Sequence, residues 1–349
     1  MGSESDFIKR IRRMTLKHRR DDKRSYSSLI THHSSLLFGI GDDAAVIRET
    51  SGRELVITTD LLVEEIDFLL DATRPRLLGH KALAVSLSDV AAMGARPCWS
   101  LLSLGVPVRI WNSRFVDEFY EGYFTLAEVY GVALAGGDLS RTPERVVVDS
   151  IVLGETKRGY AVLRSGARPG DHIFVTGSLG GSAAGLRLIR DGARLPGRKV
   201  ARSRRSRFIE ELLLRHLRPE PRVEWGVLLG QQRLATAMID ISDGLSSDLN
   251  HLCAESGVGA RIELSRIPLD PLVKRIVGHT LDPLKLALHG GEDFELLFTI
   301  SPRHLKQLPQ MIGGVPVTYI GDVTNKAGRV MLTDGAREWK LEAQGFSHF

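Results

Sequence analysis

Hydrophobic and polar positions along this chain group into short β-branched runs and longer apolar stretches, most of them closed by glycine or proline. Glu54 to Thr59 carries Leu-Val-Ile-Thr-Thr and predicts a strand, because β-branched side chains suit a pleated surface. Leu78 to Met93 reads as a helix stopped by Gly94 and then Pro97, and Phe115 to Tyr130 as a second helix ended by Gly131. Val132 to Ala135 and Val146 to Leu153 read as strands. The pattern breaks between Lys157 and Gly170, where Gly159, Gly166, Pro169 and Gly170 gather, and the domain boundary is placed there. His172 to Thr176 then predicts a strand, followed by a glycine-rich turn and a helix from Ser182 to Asp191. Ala237 to Ile241 predicts a strand, Leu245 to Ser256 a helix ended by Gly257 and Gly259, and Phe294 to Ile300 a strand. Strands alternating with helices argue α/β or α+β layers.

The length of 349 residues exceeds one ordinary domain and sets two as the expectation. The expected division is a basic segment over 1–37, an N-terminal domain over 38–156 and a C-terminal α/β domain over 157–349. Hydrophobic residues at 43% and charged residues at 26% are enough to build a core. The best membrane candidate, Ala82 to Gly105, contains Asp89 and Arg96, so no span is expected. The polar, basic N-terminus has no apolar core of a secretory signal, and Asp6, Asp21 and Asp22 argue against a mitochondrial presequence. Two cysteines, Cys98 and Cys253, cannot make a disulfide framework or a four-sulfur zinc site, and a reducing cytoplasm is expected.

The net charge of +5 is unevenly spread. Residues 9 to 24 and 187 to 207 are rich in lysine and arginine, and the remainder of the chain is acidic. Both runs read first as solvated faces. Nucleic-acid binding is the sharper alternative, weakened by the lack of interleaved aromatic residues in the first run.

Acidic residues recur beside glycine, serine or threonine, mostly at the ends of apolar strands. The instances are Gly41-Asp42-Asp43, Thr58-Thr59-Asp60, Gly136-Gly137-Asp138, Asp240-Ile241-Ser242-Asp243-Gly244 and Gly290-Gly291-Glu292-Asp293; Ser88-Asp89 lies inside an apolar helix. Taken singly, most are turn or cap residues, and Asp243 suits the N-cap of the helix that follows it. Asp89 is the sharpest case, since its neighbours are small or apolar and a buried carboxylate needs a partner: a metal, or Lys81 or Arg96. Taken together, carboxylates without balancing cations repel one another unless a divalent ion joins them. Oxygen donors without Cys or His suit magnesium or manganese, and magnesium bridges substrate phosphates. The run Gly177 to Gly185 opens a helix; it is either a phosphate cradle or a glycine turn that packs helix on strand.

Familiar nucleotide and hydrolase motifs fail. No Walker sequence occurs, and Gly39-Ile-Gly41-Asp-Asp-Ala44 precedes an apolar strand instead of a helix, which excludes a dinucleotide fingerprint. Gly180 to Ala184 lacks the second glycine of a nucleophile elbow, and the eleven histidines show no ligand spacing.

From residue 38 onward the chain resembles the thiamine-monophosphate kinase family, of the superfamily that includes aminoimidazole ribonucleotide synthetase. The segments that carry the likeness are Gly39 to Val46, Thr58 to Val63, Lys81 to Ala95, Gly136 to Asp138, Arg164 to Asp171, Ile239 to Leu245, Gly290 to Leu296 and Gly345 to Phe349. The resemblance implies a two-domain synthetase-like fold, in which the N-terminal domains of a homodimer pair into an intersubunit β-barrel and the C-terminal α/β domain closes a cleft. It implies ATP-dependent phosphorylation of thiamine monophosphate to thiamine diphosphate, by direct in-line transfer with several magnesium ions. It assigns Asp43, Thr58, Thr59, Asp60, Asp89, Asp138, Asp240 and Asp243 to magnesium, and Gly137, Asp138, Arg164, Ser242 and Tyr120 to ATP. It assigns Glu292 and Phe346 to the thiamine moiety, along with Asp67, where the family typically has histidine.

Because the attacking phosphate is already ionised, no general base is needed; charge neutralisation and alignment are the tasks. The rivals are another ATP-dependent synthetase of the superfamily acting on an amide or carboxylate, and a basic nucleic-acid-binding protein. The acidic glycine-rich motifs would have no task in the latter.

Overall fold

Residues 10, 13–14, 36–38, 46–47, 52–196, 203–276 and 282–345 are described in a computed structural model. Asp42, Asp43, Phe346 and most of the basic run 9–24 lie outside the described residues. The chain divides into two compact units, Met1–Val90 with Arg96–Arg158, and Ala91–Ala95 with Gly159–Phe349.

In the first unit, the elements run β1 (Arg53–Val63), α1 (Pro75–Ala92), β2 (Arg96–Pro107), α2 (Phe115–Tyr130), β3 (Ala133–Thr142) and β4 (Val147–Lys157). They form a sheet of order β1-β4-β2-β3 among the described residues. β2 and β3 pair in parallel, while the other neighbours are antiparallel. α1 is largely apolar and deeply buried, with Leu78, Ala82, Leu83, Ala84, Leu87 and Val90 inaccessible. It meets the sheet through Ser86, whose hydroxyl donates to the main-chain oxygen of Ser150 on β4 (3.0 Å).

Alternation along β1 sorts its two faces. Leu62 is buried with Val148 and Val152 of β4 and Leu102 and Leu104 of β2. The opposite set is open: Leu55, Ile57 and Leu61 are 49%, 62% and 59% exposed.

The second unit contains β5 (His172–Thr176), α3 (Gly181–Arg190), α4 (Arg204–Leu217), α5 (Val223–Gln231), β6 (Ala235–Asp240), α6 (Leu245–Ser256), β7 (Gly259–Glu263), α7 (Pro283–His289), β8 (Leu296–Ile300), β9 (Val315–Thr324), β10 (Val330–Thr333) and β11 (Glu338–Lys340). Its sheet runs β11-β10-β7-β9-β5-β8-β6 among the described residues, with Met311–Ile312 paired to β9 off this path. β5, β8 and β6 are nearly continuous apolar strands, and Ile173, Val175, Ala237, Ile239 and Leu297 join Leu245, Leu249 and Leu252 of α6 in one core.

Several elements depart from the sequence reading. β2 was not expected, because its apolar run follows a helix so closely that periodicity does not separate the two. β1 and β3 extend past the expected ends, so Asp60 and Asp138 sit inside strands and not at their tips. β8 starts at Leu296, because Glu292 and Phe294 adopt positive φ (63° and 49°) that a strand does not accommodate.

Candidate functional site

In the first unit, Asp60 occupies the helix-covered face of β1, level with Ser150 of β4. One residue turn along the same face, Thr58 donates its hydroxyl to Asp89 Oδ2 at 2.5 Å, so α1 delivers its aspartate directly onto β1. Asp60 Oδ2 is buried and has no hydrogen-bond partner. Burial, the Asp89 charge and the Asp149 charge push the Asp60 carboxyl up to about 7, against a lowering by the Ser86 hydroxyl. This is the signature of carboxylates held together against their repulsion, with a lone pair left for a ligand.

Among the described residues, no three His, Cys, Asp or Glu side chains close around one point as a metal cage. Magnesium keeps its waters and substrate oxygens and takes only one or two carboxylates from the protein. The half-buried Asp60–Asp89 pair with the orphaned oxygen fits such an ion; a thiolate- or imidazole-seeking metal would find no ligand there.

Adjacent strand residues face opposite ways, so Thr58 and Thr59 cannot both present side chains to Asp60's surroundings. The Thr59 hydroxyl instead donates to Asp149 Oδ1 on β4 (2.6 Å), on the open face. Asp149, which the motif reading missed, is opposite Ser103 of β2, and Ser103 is opposite Asp138 of β3. Asp138 is exposed. Tyr120 is buried on α2, its ring edge-on to Phe119 and tilted on Phe124. Asp67 Oδ2 accepts the Val63 amide (2.8 Å), closing the turn after β1, and the main-chain oxygen of Asp67 faces the buried Lys81 ammonium at 3.4 Å.

The second unit builds its candidate site from three loops. β6 ends at the buried Asp240, and Ser242 and Asp243 follow before α6. Asp243 is not the N-cap of α6; Gly244 is, with φ 115°. The cap is supplied from within the helix by Asp248, whose Oδ2 accepts the amides of Asp243 (3.2 Å) and Gly244 (3.0 Å). Burial and the Asp243 charge push Asp248 up to about 7, with these amides and the Arg164 charge acting the other way. An acidic residue one turn into a helix was the available sequence signal for Asp248.

The Gly290–Asp293 loop threads against this turn. The Glu292 amide donates to the Ser242 carbonyl (2.7 Å), and a side chain at Gly291 would place Cβ 2.5 Å from the same oxygen, so only glycine lets the loops meet. Asp293 takes the amides of Gly180 (2.7 Å) and Ser182 (3.1 Å) at the start of α3. This closes the choice over the glycine-rich turn: its amides are spent on a carboxylate of the protein, and a phosphate there would displace Asp293. Burial drives Asp293 up to about 7. The end of the described chain arrives at the same place, since the Gly345 amide donates to Ser247 Oγ (2.9 Å).

Residues 41–156 match the family model described as AIR synthase related protein, N-terminal domain, and residues 168–333 match AIR synthase related protein, C-terminal domain. The thiamine-monophosphate kinase of Bacillus subtilis (strain 168) is 39% identical over 321 residues, which are 91% of this chain and 95% of that protein. The crystal structure of thiamine-monophosphate kinase from Stenotrophomonas maltophilia K279a is similar with a TM-score of 0.77 at 37% identity, over 87% of this chain and 92% of that one. AaThiL complexed with AMPPCP and TMP is similar with a TM-score of 0.74 at 35% identity, over 86% and 89%. Identity at this level over nearly the full length of both chains, with the aspartate and glycine motifs in place, shows that the chain belongs to the thiamine-monophosphate kinase family.

Proposed function

We propose that this protein transfers the γ-phosphoryl group of ATP to the phosphate of thiamine monophosphate, giving thiamine diphosphate and ADP. The observation that carries the reading is the Asp60 carboxylate, pressed against Asp89 with a buried oxygen that no protein group satisfies. The complex of a relative with AMPPCP and TMP supports the two substrates.

In the reaction an oxygen of the thiamine-borne phosphate attacks the γ-phosphorus, the bond to the ADP oxygen breaks, and no proton need move. The chain's part is therefore alignment and charge. Asp43, Thr58, Thr59, Asp60, Asp89, Asp138, Asp240 and Asp243 are proposed as the magnesium-holding set, Thr59 only through its main chain or after a rearrangement of its bond to Asp149. Magnesium bound there would neutralise the phosphate oxygens of both substrates. Gly137, Asp138, Ser242 and Arg164 are proposed to contact ATP; Arg164 supplies positive charge close to Asp248. Glu292, Asp67 and Phe346 are proposed to receive the cationic thiamine moiety. The open apolar stripe of Leu55, Ile57 and Leu61 supports a homodimer in which the sheet of one copy covers that of the other as a β-barrel.

An ADP-release assay with thiamine monophosphate, thiamine, and the amide and carboxylate substrates of related synthetases tests the reading. ADP release dependent on thiamine monophosphate alone is expected, and equal release with thiamine or without any acceptor would sink it. Asp89→Asn should lower kcat at least ~100-fold at saturating magnesium with the fold intact by circular dichroism; near-normal turnover would remove Asp89 from the ligand set.

A further inference from the structure

His216 lies in the last turn of α4, outside every motif that links this chain to its family. It is buried, and a buried imidazole needs partners for its nitrogens. Its Nδ1 lies 2.9 Å from Glu292 Oε2 and 3.2 Å from Ser182 Oγ. The contact with Glu292 is an ion pair when the imidazole is protonated, and the Ser182 hydroxyl gives or takes the hydrogen bond at Nδ1 according to the tautomer.

We propose that His216 is a positioning residue for the thiamine-binding carboxylate: it holds the Glu292 side chain in the orientation that meets the substrate, so that the glutamate is already ordered before thiamine monophosphate arrives. The inference rests on the assignment of Glu292 to the thiamine moiety.

The backbone of Glu292 is fixed without His216. Its φ of 63° and its amide bond to Ser242 set the turn, and Asp293 ties the next residue to the start of α3. The side chain is a different matter. Glutamate has three rotatable bonds, and its side chain here remains 28% exposed, open to a ligand. The imidazole of a helix that is itself packed on α3 is what restrains it. Ordering a rotamer-rich side chain on binding weakens affinity, and a residue that orders it beforehand improves ground-state binding without touching the reacting phosphates. The expected signature is therefore in KM for thiamine monophosphate and not in kcat or in KM for ATP.

The two amide replacements separate this role from plain packing. Asparagine at 216 places its Nδ2 donor near the position of the histidine Nδ1, whereas glutamine places its donor near Nε2. His216→Asn should keep KM for thiamine monophosphate within about three-fold, and His216→Gln should raise it about ten-fold, with kcat and KM for ATP within two-fold in both. Glu292→Gln should raise the same KM, and adding His216→Gln to it should change little further, since the two act through one contact. Equal KM values in His216→Asn and His216→Gln, or effects confined to Tm, would overturn the inference while leaving Glu292 in place. A normal KM in Glu292→Gln would instead remove the substrate assignment and this inference with it.

Discussion

Asp60 carries a conflict that the folded chain does not resolve by itself. Its carboxyl is buried beside two others, and an oxygen lacks any donor. Removing the charge should relieve the repulsion and remove the function together. Asp60→Asn is expected to raise Tm in magnesium-free buffer, with a gain on the order of 2 kcal/mol at pH 8, and to abolish turnover; a fall in Tm in calorimetry would show that the carboxylate is satisfied by a group of the protein. Asp293 poses the same question in the second unit, with amides in place of a ligand. Its carboxyl is pushed up to about 7 by burial, so the folded chain holds a proton that the unfolded chain releases above about pH 4. The stability from this group is complete below pH 4 and is lost as pH rises from about 4 to about 7, after which it is constant. Urea titrations of wild type and Asp293→Asn should therefore show a stability difference that changes across that window and is flat above it. A difference independent of pH would contradict the burial of an ionisable group.

The elements turn adjacent residues into separate chemistry. The motif Thr58-Thr59-Asp60 reads as one ligand set, yet the pleat sends Thr58 and Asp60 to the helix side and Thr59 to Asp149. The helix brings Asp89 to Thr58 across 31 positions of sequence, a meeting that no spacing rule announces. In the second unit, the glycines of the Gly290–Asp293 loop matter for what they leave out. Gly291→Ala would drive a methyl group onto the Ser242 carbonyl and part the two loops. It is expected to raise KM for both substrates more than ten-fold with a loss of roughly 1–3 kcal/mol in stability. Unchanged KM values by steady-state kinetics would show that the loops need not touch.

At the scale of the whole molecule, the first unit's sheet has one face under helices and one face carrying Leu55, Ile57 and Leu61 in the open. Leu55, Ile57 and Leu61 share one face of the strand with Thr59 between the last two, and exposed apolar side chains gathered on one face mark surfaces that associate. For the homodimer proposed above, Ile57→Lys with Leu61→Lys should leave only monomer in analytical ultracentrifugation where the unaltered chain sediments as a dimer. A dimer that survives both charges would place the interface elsewhere. No helix among the described residues is long and apolar enough to cross a membrane.

The sequence alone was enough for the family and for most of the helices and strands, because both rest on local patterns. Phe115–Tyr130, His172–Thr176 and Leu245–Ser256 are closed by glycine or by a change of period, and the structure has the same bounds. The aspartate and glycine motifs are contiguous and were legible as candidate sites for the same reason. What tertiary structure decided is which of those groups meet. Asp149 pairs with Thr59, Asp248 caps its own helix start, Asp293 occupies the amides that a phosphate could have used, and His216 reaches Glu292 from another helix. Each is a contact between positions that are distant along the chain or hidden within an ordinary helix. Such contacts come from the packing of finished elements, so no local pattern of residue types encodes them.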